Sequence, residues 1–338
     1  MNLSFSFIIP VYNRPDEIGE LLESIAQQTF AEPFEIVIIE DGSSESSEHV
    51  IDQFKRSFNI NYLKKPNSGP GDSRNYGMLR AKGDYFIILD SDCILPPHYL
   101  KTVSESLQED FVHCYGGPDA AHESFSLVQK AINYAMTAVL TTGGIRGGRK
   151  QNSFQPRSFN MGLSQLAFES TGGFGNIHPG EDPDLIFRIW GQGYATRLIP
   201  EAFVFHKRRV DWKKFYEQVK KFGMVRPILN RRYPKTAKMT YWFPTLFCLG
   251  FLIALALWFW GIVLPLGLYA IYFILIFIDS LLKNRNLAIA LLSLFAVGIQ
   301  FIGYGFGFLK SAIFVNFSSK KPEELFPHLF FPKIDSAV

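Results

Sequence analysis

The sequence predicts an α/β domain built on a mostly parallel sheet, followed by an α-helical transmembrane segment. Over residues 5–90, short and almost continuously apolar runs alternate with amphipathic stretches, a pattern typical of parallel strands joined by right-handed helical crossovers. Residues 239–278 and 286–309 contain no charged side chain, and one bilayer span needs roughly 20 apolar residues. A wholly soluble protein is therefore excluded.

The α/β domain is predicted to begin with four strands and three helices in strict alternation. We expect strands at 5–11, 34–40, 59–63 and 84–90, and helices at 14–28, 45–57 and 72–82. Beyond residue 110 we expect strands at 111–115, 159–163 and within 194–205, helices at 122–142 and 181–192, and a basic loop at 143–150. Ligands bind at the carboxyl ends of parallel strands, where Asp41, Asp90 and Asp92 would lie. No Gly-x-Gly-x-x-Gly motif opens the first helix and no Walker lysine loop occurs, so a dinucleotide or P-loop site is not supported.

The basic residues are concentrated next to the first apolar run. The chain has 34 Lys and Arg against 31 Asp and Glu, but residues 207–238 alone hold twelve basic and two acidic residues. Basic residues beside a span mark its cytoplasmic side and attract anionic lipids, so a membrane explains this block better than nucleic acid does. Residues 1–3 precede the first strand without a basic region, which predicts no signal peptide. Three scattered cysteines fit a reducing compartment. We therefore expect a bacterial-type inner membrane protein with its α/β domain in the cytosol.

Two carboxylates follow the fourth predicted strand, in Asp90-Ser91-Asp92. Residues i and i+2 of a strand point the same way, so Asp90 and Asp92 would converge. Paired carboxylates of this kind suit a hard divalent cation, Mg²⁺ or Mn²⁺, that also takes phosphate oxygens of a substrate. Taken alone, Asp-x-Asp is a weak signal that is more often a solvated turn.

The Asp-x-Asp motif occurs among other motifs in a definite order. They are Pro10-Val11-Tyr12-Asn13, Glu40-Asp41-Gly42-Ser43, Asn67-Ser68-Gly69-Pro70-Gly71, Arg74-Asn75, Ala81-Lys82-Gly83-Asp84, Gly180-Glu181-Asp182-Pro183-Asp184-Leu185 and a late His206. This set resembles family 2 of the nucleotide-sugar glycosyltransferases, which have the Rossmann-like GT-A fold, over about residues 5–225. The resemblance, and not composition or periodicity, implies sugar transfer.

The resemblance implies a site for a nucleoside-diphosphate sugar, with Pro10, Asn13 and Gly69 in the motifs that line it. Tyr12 would stack on the base, Asp41 would accept a hydrogen bond from the base, usually uracil, and Arg74 would neutralise or orient the nucleotide. Asp90 would reach the ribose or the metal, Asp92 would bind the metal, and His206 would complete the metal site or hold the diphosphate. Asp182 would be the catalytic base, with Glu181 as its rival.

Each assigned residue also has a structural interpretation that the sequence leaves open. Tyr12 could be a packed aromatic at a strand end, Asp41 the cap of the next helix, and Arg74 a surface helix residue. Asp182 could cap the helix that Pro183 begins. His206 could be a structural histidine.

Two departures from the family pattern bear on function. The Gln-x-x-Arg-Trp signature of processive polysaccharide synthases is absent, and Gly42 stands where the family has a second acid. A processive synthase is therefore disfavoured, and the base specificity is less certain.

The C-terminal part is predicted to hold one interface helix and three spans. Residues 211–225 place aromatic residues on one helical stripe with lysines beside it, as in helices that lie at a membrane interface; packing of the stripe on the catalytic domain is the alternative. The spans are predicted at 242–260, 263–280 and 287–309. The predicted domains are a glycosyltransferase domain at 1–209, an interface segment at 210–238, a membrane domain at 239–316 and a tail at 317–338, whose side of the membrane stays open.

The expected function is that of a membrane-anchored, metal-dependent, inverting glycosyltransferase. It would move a sugar from a nucleoside-diphosphate sugar, with UDP as the expected carrier, to a hydroxyl of a lipid-linked acceptor. A polyprenyl-phosphate glycosyltransferase and a non-catalytic nucleotide-sugar-binding scaffold are the alternatives. A hydrolase, which needs no nucleotide site, and a transporter, which needs polar residues within its spans, are disfavoured. The sugar, the acceptor and the oligomeric state stay open.

Overall fold

The computed structural model describes residues 3–120, 125–143, 154–207 and 211–332. Contacts divide these residues into two compact units. The first unit holds residues 3–120, 154–206 and 330–332, and the second holds residues 125–143, 207 and 211–329. The boundary predicted at residue 209 and most of the basic loop predicted at 143–150 lie outside the described residues.

The first unit is built on a seven-stranded mixed sheet and a three-stranded sheet. In chain order the strands are β1 (Phe5–Val11), β2 (Phe34–Asp41), β3 (Asn59–Lys65), β4 (Tyr85–Leu89), β5 (Cys93–Ile94), β6 (Cys114–Gly116), β7 (Asp119–Ala120), β8 (Asn160–Ser164), β9 (Thr196–Leu198) and β10 (Val204–His206). The large sheet has the order β3-β2-β1-β4-β8-β6-β9, and the small sheet has the order β5-β10-β7. β3, β2, β1 and β4 are parallel, β8 is antiparallel to both its neighbours, and β6 and β9 are parallel. The predicted mostly parallel sheet is confirmed.

The helices follow the strands in the predicted alternation, with some differences at their ends. In chain order they are α1 (Pro15–Ala26), α2 (Glu48–Phe54), α3 (Pro70–Met78), α4 (Tyr99–Glu109), α5 (Leu127–Thr137), α6 (Val139–Thr142), α7 (Gln165–Thr171), α8 (Glu181–Gly191), α9 (Trp212–Arg232), α10 (Phe243–Phe259), α11 (Leu264–Asn284), α12 (Leu287–Phe317) and α13 (Pro322–Leu325). The helix predicted at 122–142 is two helices, because Ala138 has an extended backbone with ψ 144°. α4 and α7 have no counterpart among the predicted elements.

The central strands are buried on both faces of the large sheet, which explains their unbroken apolar runs. Phe7 and Ile9 of β1 pack with Ile18 of α1 on one face. Ile8 packs with Met78 and Ile186 on the other face. Each such side chain contributes about 1.5–3 kcal/mol when it is fully buried, so the two clusters fix both layers of helices on the sheet. The carboxyl ends of β1, β2 and β4 consequently meet at one edge.

The second unit contains three helices that are long and apolar enough to cross a membrane: Met239–Phe259, Leu264–Asn284 and Leu287–Phe317. The three predicted apolar segments are thereby confirmed as helices, and the last is longer than the predicted 287–309. α9 packs along α12, where Phe215 and Val219 are buried in one cluster with Phe301. Phe215 and Val219 of the predicted aromatic stripe therefore pack on a neighbouring apolar helix, and the position of α9 at a membrane interface stays a prediction. Neither interpretation of the stripe named α12 as its partner, because α12 lies far from residues 211–225 in the sequence.

Candidate active site

Asp41, at the end of β2, has a buried carboxylate that organises the following loop. Its Oδ1 accepts hydrogen bonds from Lys65 Nζ at 2.7 Å and from the Ser68 amide at 3.0 Å, and its Oδ2 accepts one from the Gly69 amide at 3.0 Å. α2 begins after Ser47, so the interpretation of Asp41 as the cap of that helix is wrong. The structure places Asp41 under the Asn67–Gly71 loop, and its contact with a base stays a prediction.

The residues after β1 form an exposed rim beside Asp41. Tyr12 is 52% exposed, so its interpretation as a packed aromatic is wrong and its ring is free to stack on a ligand. Asn13 has a left-handed φ of 53°, and its Oδ1 accepts hydrogen bonds from the Ser44 and Glu45 amides at 2.8 and 3.1 Å. Asn13 therefore ties together the loops that follow β1 and β2. Pro10 is opposite Ile39 in the β1–β2 register and is part of the strand, below this rim.

Arg74 of α3 is 2% exposed, so the interpretation of it as a surface residue is wrong. Its Nη2 donates to Asp90 Oδ1 at 2.6 Å, and its Nη1 lies 3.5 Å from Glu181 Oε1. Its guanidinium also lies 5.3 Å from the centre of the Phe174 ring. Burial opposes the charge of Arg74, but Asp90 and Glu181 raise its pKa above the usual value. Arg74 is thus a fixed cation that joins the end of β4 to the start of α8.

Asp92 and His206 are brought together by the small sheet. β5 and β10 are antiparallel and pair His206 with Cys93, the residue after Asp92. His206 Nε2 lies 3.2 Å from Asp92 Oδ1 and 4.0 Å from Asp90 Oδ2. Arg14, just before α1, contacts Asp92 Oδ2. Burial of Asp92 favours its neutral form, but His206 and Arg14 hold the pKa of this carboxyl well below its usual range.

These residues fit a hard divalent cation. Ligand atoms of Asp92, Cys93 and His206 lie within 4.8 Å of one another. Asp92 Oδ1 and His206 Nδ1 are buried and make no hydrogen bond to any residue that the structure describes. The carboxylate oxygens suit Mg²⁺ or Mn²⁺, whereas the imidazole nitrogen and the Cys93 sulfur are softer ligands that Zn²⁺ also accepts. The imidazole must be neutral to bind a metal, whereas Asp92 raises the pKa of His206 against the effect of burial, so cation binding would release a proton.

Glu181 and Asp182 begin α8 and have opposite electrostatic environments. Glu181 Oε1 lies 3.0 Å from His178 Nδ1; burial opposes ionisation, but His178 and Arg74 lower the pKa of Glu181 to about 2. Burial and the neighbouring Glu181 charge raise the pKa of Asp182 to about 6. Asp182 Oδ1 is buried without a hydrogen bond to the described residues. Two adjacent carboxyl groups with separated pKa values suit a proton-transfer role for the one with the higher pKa.

Asp182 does not cap α8. The residue at the cap is Gly180, with φ 122°, and no side chain caps this helix end. Asp184, one turn into the helix, pairs with Arg188 at 3.0 Å and is engaged in helix structure. The Asp182 carboxyl instead interacts with Ser158 and Arg157, which lower its pKa against the larger effect of burial.

Gly42 explains the departure from the family pattern. It has a left-handed φ of 69°, and a Cβ there would lie 2.5 Å from the Asn67 amide nitrogen. The loop that binds Asp41 thus passes too close for a second acid. Sequence reasoning missed Arg14 and His178, although Arg14 directly follows the Tyr12-Asn13 motif and His178 precedes Glu181 by one helical turn.

Comparisons with known proteins identify the family and the fold of this chain. The sequence profile described as Glycosyl transferase family 2 matches residues 6–175. An uncharacterized glycosyltransferase of Haemophilus influenzae is 33% identical over 132 residues, which are 38% of this chain and 44% of that protein. The poly(ribitol-phosphate) beta-N-acetylglucosaminyltransferase TarS of Staphylococcus aureus is 31% identical over 110 residues, which are 32% of this chain and 19% of that protein. The chain therefore spans less than half the length of these relatives.

One solved structure shares the fold over nearly its whole length. The mannosyltransferase PcManGT of Pyrobaculum calidifontis, solved with GDP-Man and Mn²⁺, has a TM-score of 0.63 and 14% identity, and the likeness covers 89% of this chain and 88% of that one. The GT-A fold expected from the motifs is confirmed. With half of its length matched by the family profile and its carboxylates gathered at the carboxyl edge of the sheet, this chain belongs to glycosyl transferase family 2.

Proposed function

We propose that this protein is a membrane-anchored glycosyltransferase that moves a sugar from a nucleoside diphosphate to a hydroxyl of a lipid-linked acceptor, with Asp182 as the base. The proposal is carried by the contrast between two adjacent carboxyl groups. Asp182 has a buried oxygen without a hydrogen bond to the described residues, and its pKa is raised. Glu181 beside it is held ionised by Arg74 and His178. A general base works best when its pKa lies near the operating pH.

The donor is expected to bind along the edge from Tyr12 to Arg74. Tyr12 would offer its exposed ring to the base, and Asp41 holds the Asn67–Gly71 loop through the Ser68 and Gly69 amides. Arg74 would attract the diphosphate, because a guanidinium binds phosphate oxygens through paired hydrogen bonds. The family resemblance favours uracil, whereas PcManGT binds GDP-Man, so both carriers belong in a test.

A divalent cation would be held by Asp92 with Asp90 and His206. Such a cation supplies stabilisation of the negative charge that grows on the leaving diphosphate. PcManGT was solved with Mn²⁺, which supports the same requirement here. Arg14 and Arg74 contribute fixed positive charge at the same edge, and preorganised charge of this kind lowers the barrier without reorganisation.

The proposed reaction is a single displacement. Asp182 takes the proton of the acceptor hydroxyl as its oxygen forms a bond to the anomeric carbon, and the bond from that carbon to the diphosphate oxygen breaks. The departing nucleoside diphosphate carries away the negative charge. A single displacement inverts the anomeric centre. Glu181 positions Arg74 and His178 and does not transfer the proton.

The acceptor hypothesis combines the relatives' names with the apolar helices. TarS is named as acting on poly(ribitol-phosphate), and a Bacillus subtilis relative is named for minor teichoic acid biosynthesis, with 33% identity over 155 residues. Both names point to polyol or sugar hydroxyls rather than water. Three helices able to cross a bilayer favour an acceptor that is itself attached to lipid. We place the protein in a bacterial inner membrane with the glycosyltransferase unit in the cytosol.

The test is transfer into lipid by membranes that contain the full chain. Membranes are incubated with radiolabelled UDP- and GDP-sugars, and the lipid and polymer fractions are extracted and counted. Asp182→Asn and Asp92→Ala membranes are run in parallel, with Asp52→Asn as a surface control. Label in the extract that depends on both carboxylates supports the proposal. Label that survives Asp182→Asn would instead favour a phosphate acceptor, which needs no base. The polyprenyl-phosphate alternative would then replace the hydroxyl acceptor proposed here. Donor binding without transfer by any sugar of the panel would favour the scaffold alternative.

A further inference from the structure

The last described residues of the chain pair with the loop that precedes α8. Phe330 forms a backbone bridge with Ile177. The Phe331 amide donates to the Asn176 carbonyl at 2.9 Å, and Asn176 Nδ2 donates back to the Phe331 carbonyl at 3.2 Å. These contacts belong to the first unit. The pairing fixes the Phe331 side chain beside residues 176–180.

The Phe331 ring touches a second loop, the one that follows β3. Gly69 has a left-handed φ of 91°, and a Cβ at this glycine would collide with the Phe331 ring. The ring centre also lies 5.7 Å from the His178 ring. One half-buried aromatic side chain therefore contacts both the Asn67–Gly71 loop and the 176–180 loop.

Each of these loops leads directly to a charged group of the candidate site. On one side, the Gly69 amide donates to Asp41 Oδ2 at 3.0 Å. On the other side, His178 Nδ1 lies 3.0 Å from Glu181 Oε1, and Glu181 faces the buried Arg74 at 3.5 Å. A shift of either loop would change the separation of Asp41 from the pair of Glu181 and Arg74.

We propose that Phe331 is a positioning residue for the donor site, which holds the Asn67–Gly71 loop against the 176–180 loop and thereby sets the gap that a nucleoside diphosphate enters. The proposal rests on the proposed function for the identity of the ligand, whereas the clamp between the loops stands on the contacts alone. Phe331 belongs to the first unit but follows the apolar helices in the chain, so a protein shortened to its N-terminal 206 residues would lack it.

Nucleotide affinity of the full chain in detergent is the first measurement. UDP and GDP are titrated by calorimetry into the parent, Phe331→Ala, a conservative Phe331→Tyr, and two shortened chains. The chain ending at Leu329 lacks the segment, and the chain ending at Pro332 keeps it as a matched control. We expect the dissociation constant to rise about tenfold, a change of about 1.4 kcal/mol, for Phe331→Ala and for the chain ending at Leu329. Phe331→Tyr and the chain ending at Pro332 should stay within about twofold of the parent.

Hydrogen exchange of the ligand-free protein is the second measurement, and it needs no bound nucleotide. The Ser68 and Gly69 amides should exchange faster in Phe331→Ala, while amides of β1 keep their protection. Unchanged exchange at residues 68–69 would overturn the clamp, whatever the nucleotide result. Faster exchange at residues 68–69 with unchanged nucleotide affinity would overturn the positioning role. A gain of transfer activity in the chain ending at Leu329 would also overturn it, because the segment would then be inhibitory. A parent that binds neither UDP nor GDP would refute the proposed function and leave the exchange result to decide the clamp.

Discussion

His206 Nε2 lies 3.2 Å from Asp92 Oδ1 because the β5–β10 pairing brings the end of β10 opposite Cys93. Asp92 and His206 should therefore act together on a cation. We expect Asp92→Asn to abolish Mn²⁺ binding and His206→Ala to weaken it by more than about tenfold, as measured by electron paramagnetic resonance of free Mn²⁺. Asp52→Asn, on the surface of α2, serves as the control. Mn²⁺ affinity that is unchanged in Asp92→Asn would refute this site.

Arg14 should compete with a cation for Asp92. Its guanidinium contacts Asp92 Oδ2, so removing that positive charge leaves the carboxylate more attractive to Mn²⁺. We expect Arg14→Gln to lower the Mn²⁺ dissociation constant by about tenfold and to lower the melting temperature without metal, because Asp92 then lacks one buried partner. Arg56→Gln, at an exposed position, should change neither value. Weaker Mn²⁺ binding in Arg14→Gln would show that Arg14 supports the cation site instead.

Asp182→Asn and Glu181→Gln should have separable effects. An amide at position 182 cannot accept the proton of the acceptor, so turnover should fall roughly 10²–10⁴-fold while UDP affinity stays near that of the parent. Glu181→Gln removes the ionised partner of Arg74 and His178, so it should lower stability by about 1–3 kcal/mol and weaken UDP binding. The measurements are initial rate, calorimetric affinity and thermal melting. A dead Glu181→Gln beside an active Asp182→Asn would move the base by one residue.

The pH dependence of the specificity constant should follow the ionisation of Asp182. Burial and Glu181 raise the pKa of its carboxyl to about 6, and only the deprotonated form can act as a base. The specificity constant should therefore fall about tenfold for each pH unit below 6 and level off above it. A rate that is flat from pH 5 to pH 8 would contradict the assignment.

The contribution of Asp182 to folding stability should fall as pH rises, whereas the specificity constant rises. A carboxyl whose pKa rises on folding favours the folded state while it is protonated, so its contribution is present at low pH and is lost as pH rises through about 6. The melting-temperature difference between Asp182→Asn and the parent should accordingly shift in favour of the variant between pH 5 and pH 7. Thermal melts across this range, with Asp52→Asn as the control, measure that difference.

The parts of this structure that could be predicted are those with local signals. β1, β2 and β4 are buried on both faces, so their apolar runs were sufficient to place them, and the carboxyl ends of these strands led to Asp41, Asp90 and Asp92. The break at Ala138 has no Pro or Gly to mark it. The strand β8 was predicted, but its antiparallel direction could not be, because an apolar run does not encode the direction of its neighbour.

The contacts that complete the site join distant parts of the chain. Arg14 reaches Asp92, and Phe331 reaches Gly69, through packing that no spacing within the sequence specifies. The partner of the Phe215 and Val219 stripe is α12 for the same reason. The family resemblance supplied Asp182, but the distinction between Asp182 and Glu181 depends on burial and on the position of Arg74, which only a three-dimensional structure contains.

The bridge between Ile177 and Phe330 limits how the apolar helices can meet a bilayer. The chain leaves the first unit after His206 and rejoins it at Phe330, so in a bilayer both ends of the intervening segment would face one aqueous compartment. A segment that starts and ends on one side crosses an even number of times, and α10, α11 and α12 cannot all be complete crossings. We expect α12 to be the helix that does not cross completely. In its most apolar window 39% of the residues are buried in protein, against 11% for each of the other two helices. It also packs along the basic α9. We therefore expect α10 and α11 to form the crossing hairpin if the protein is inserted in a bilayer.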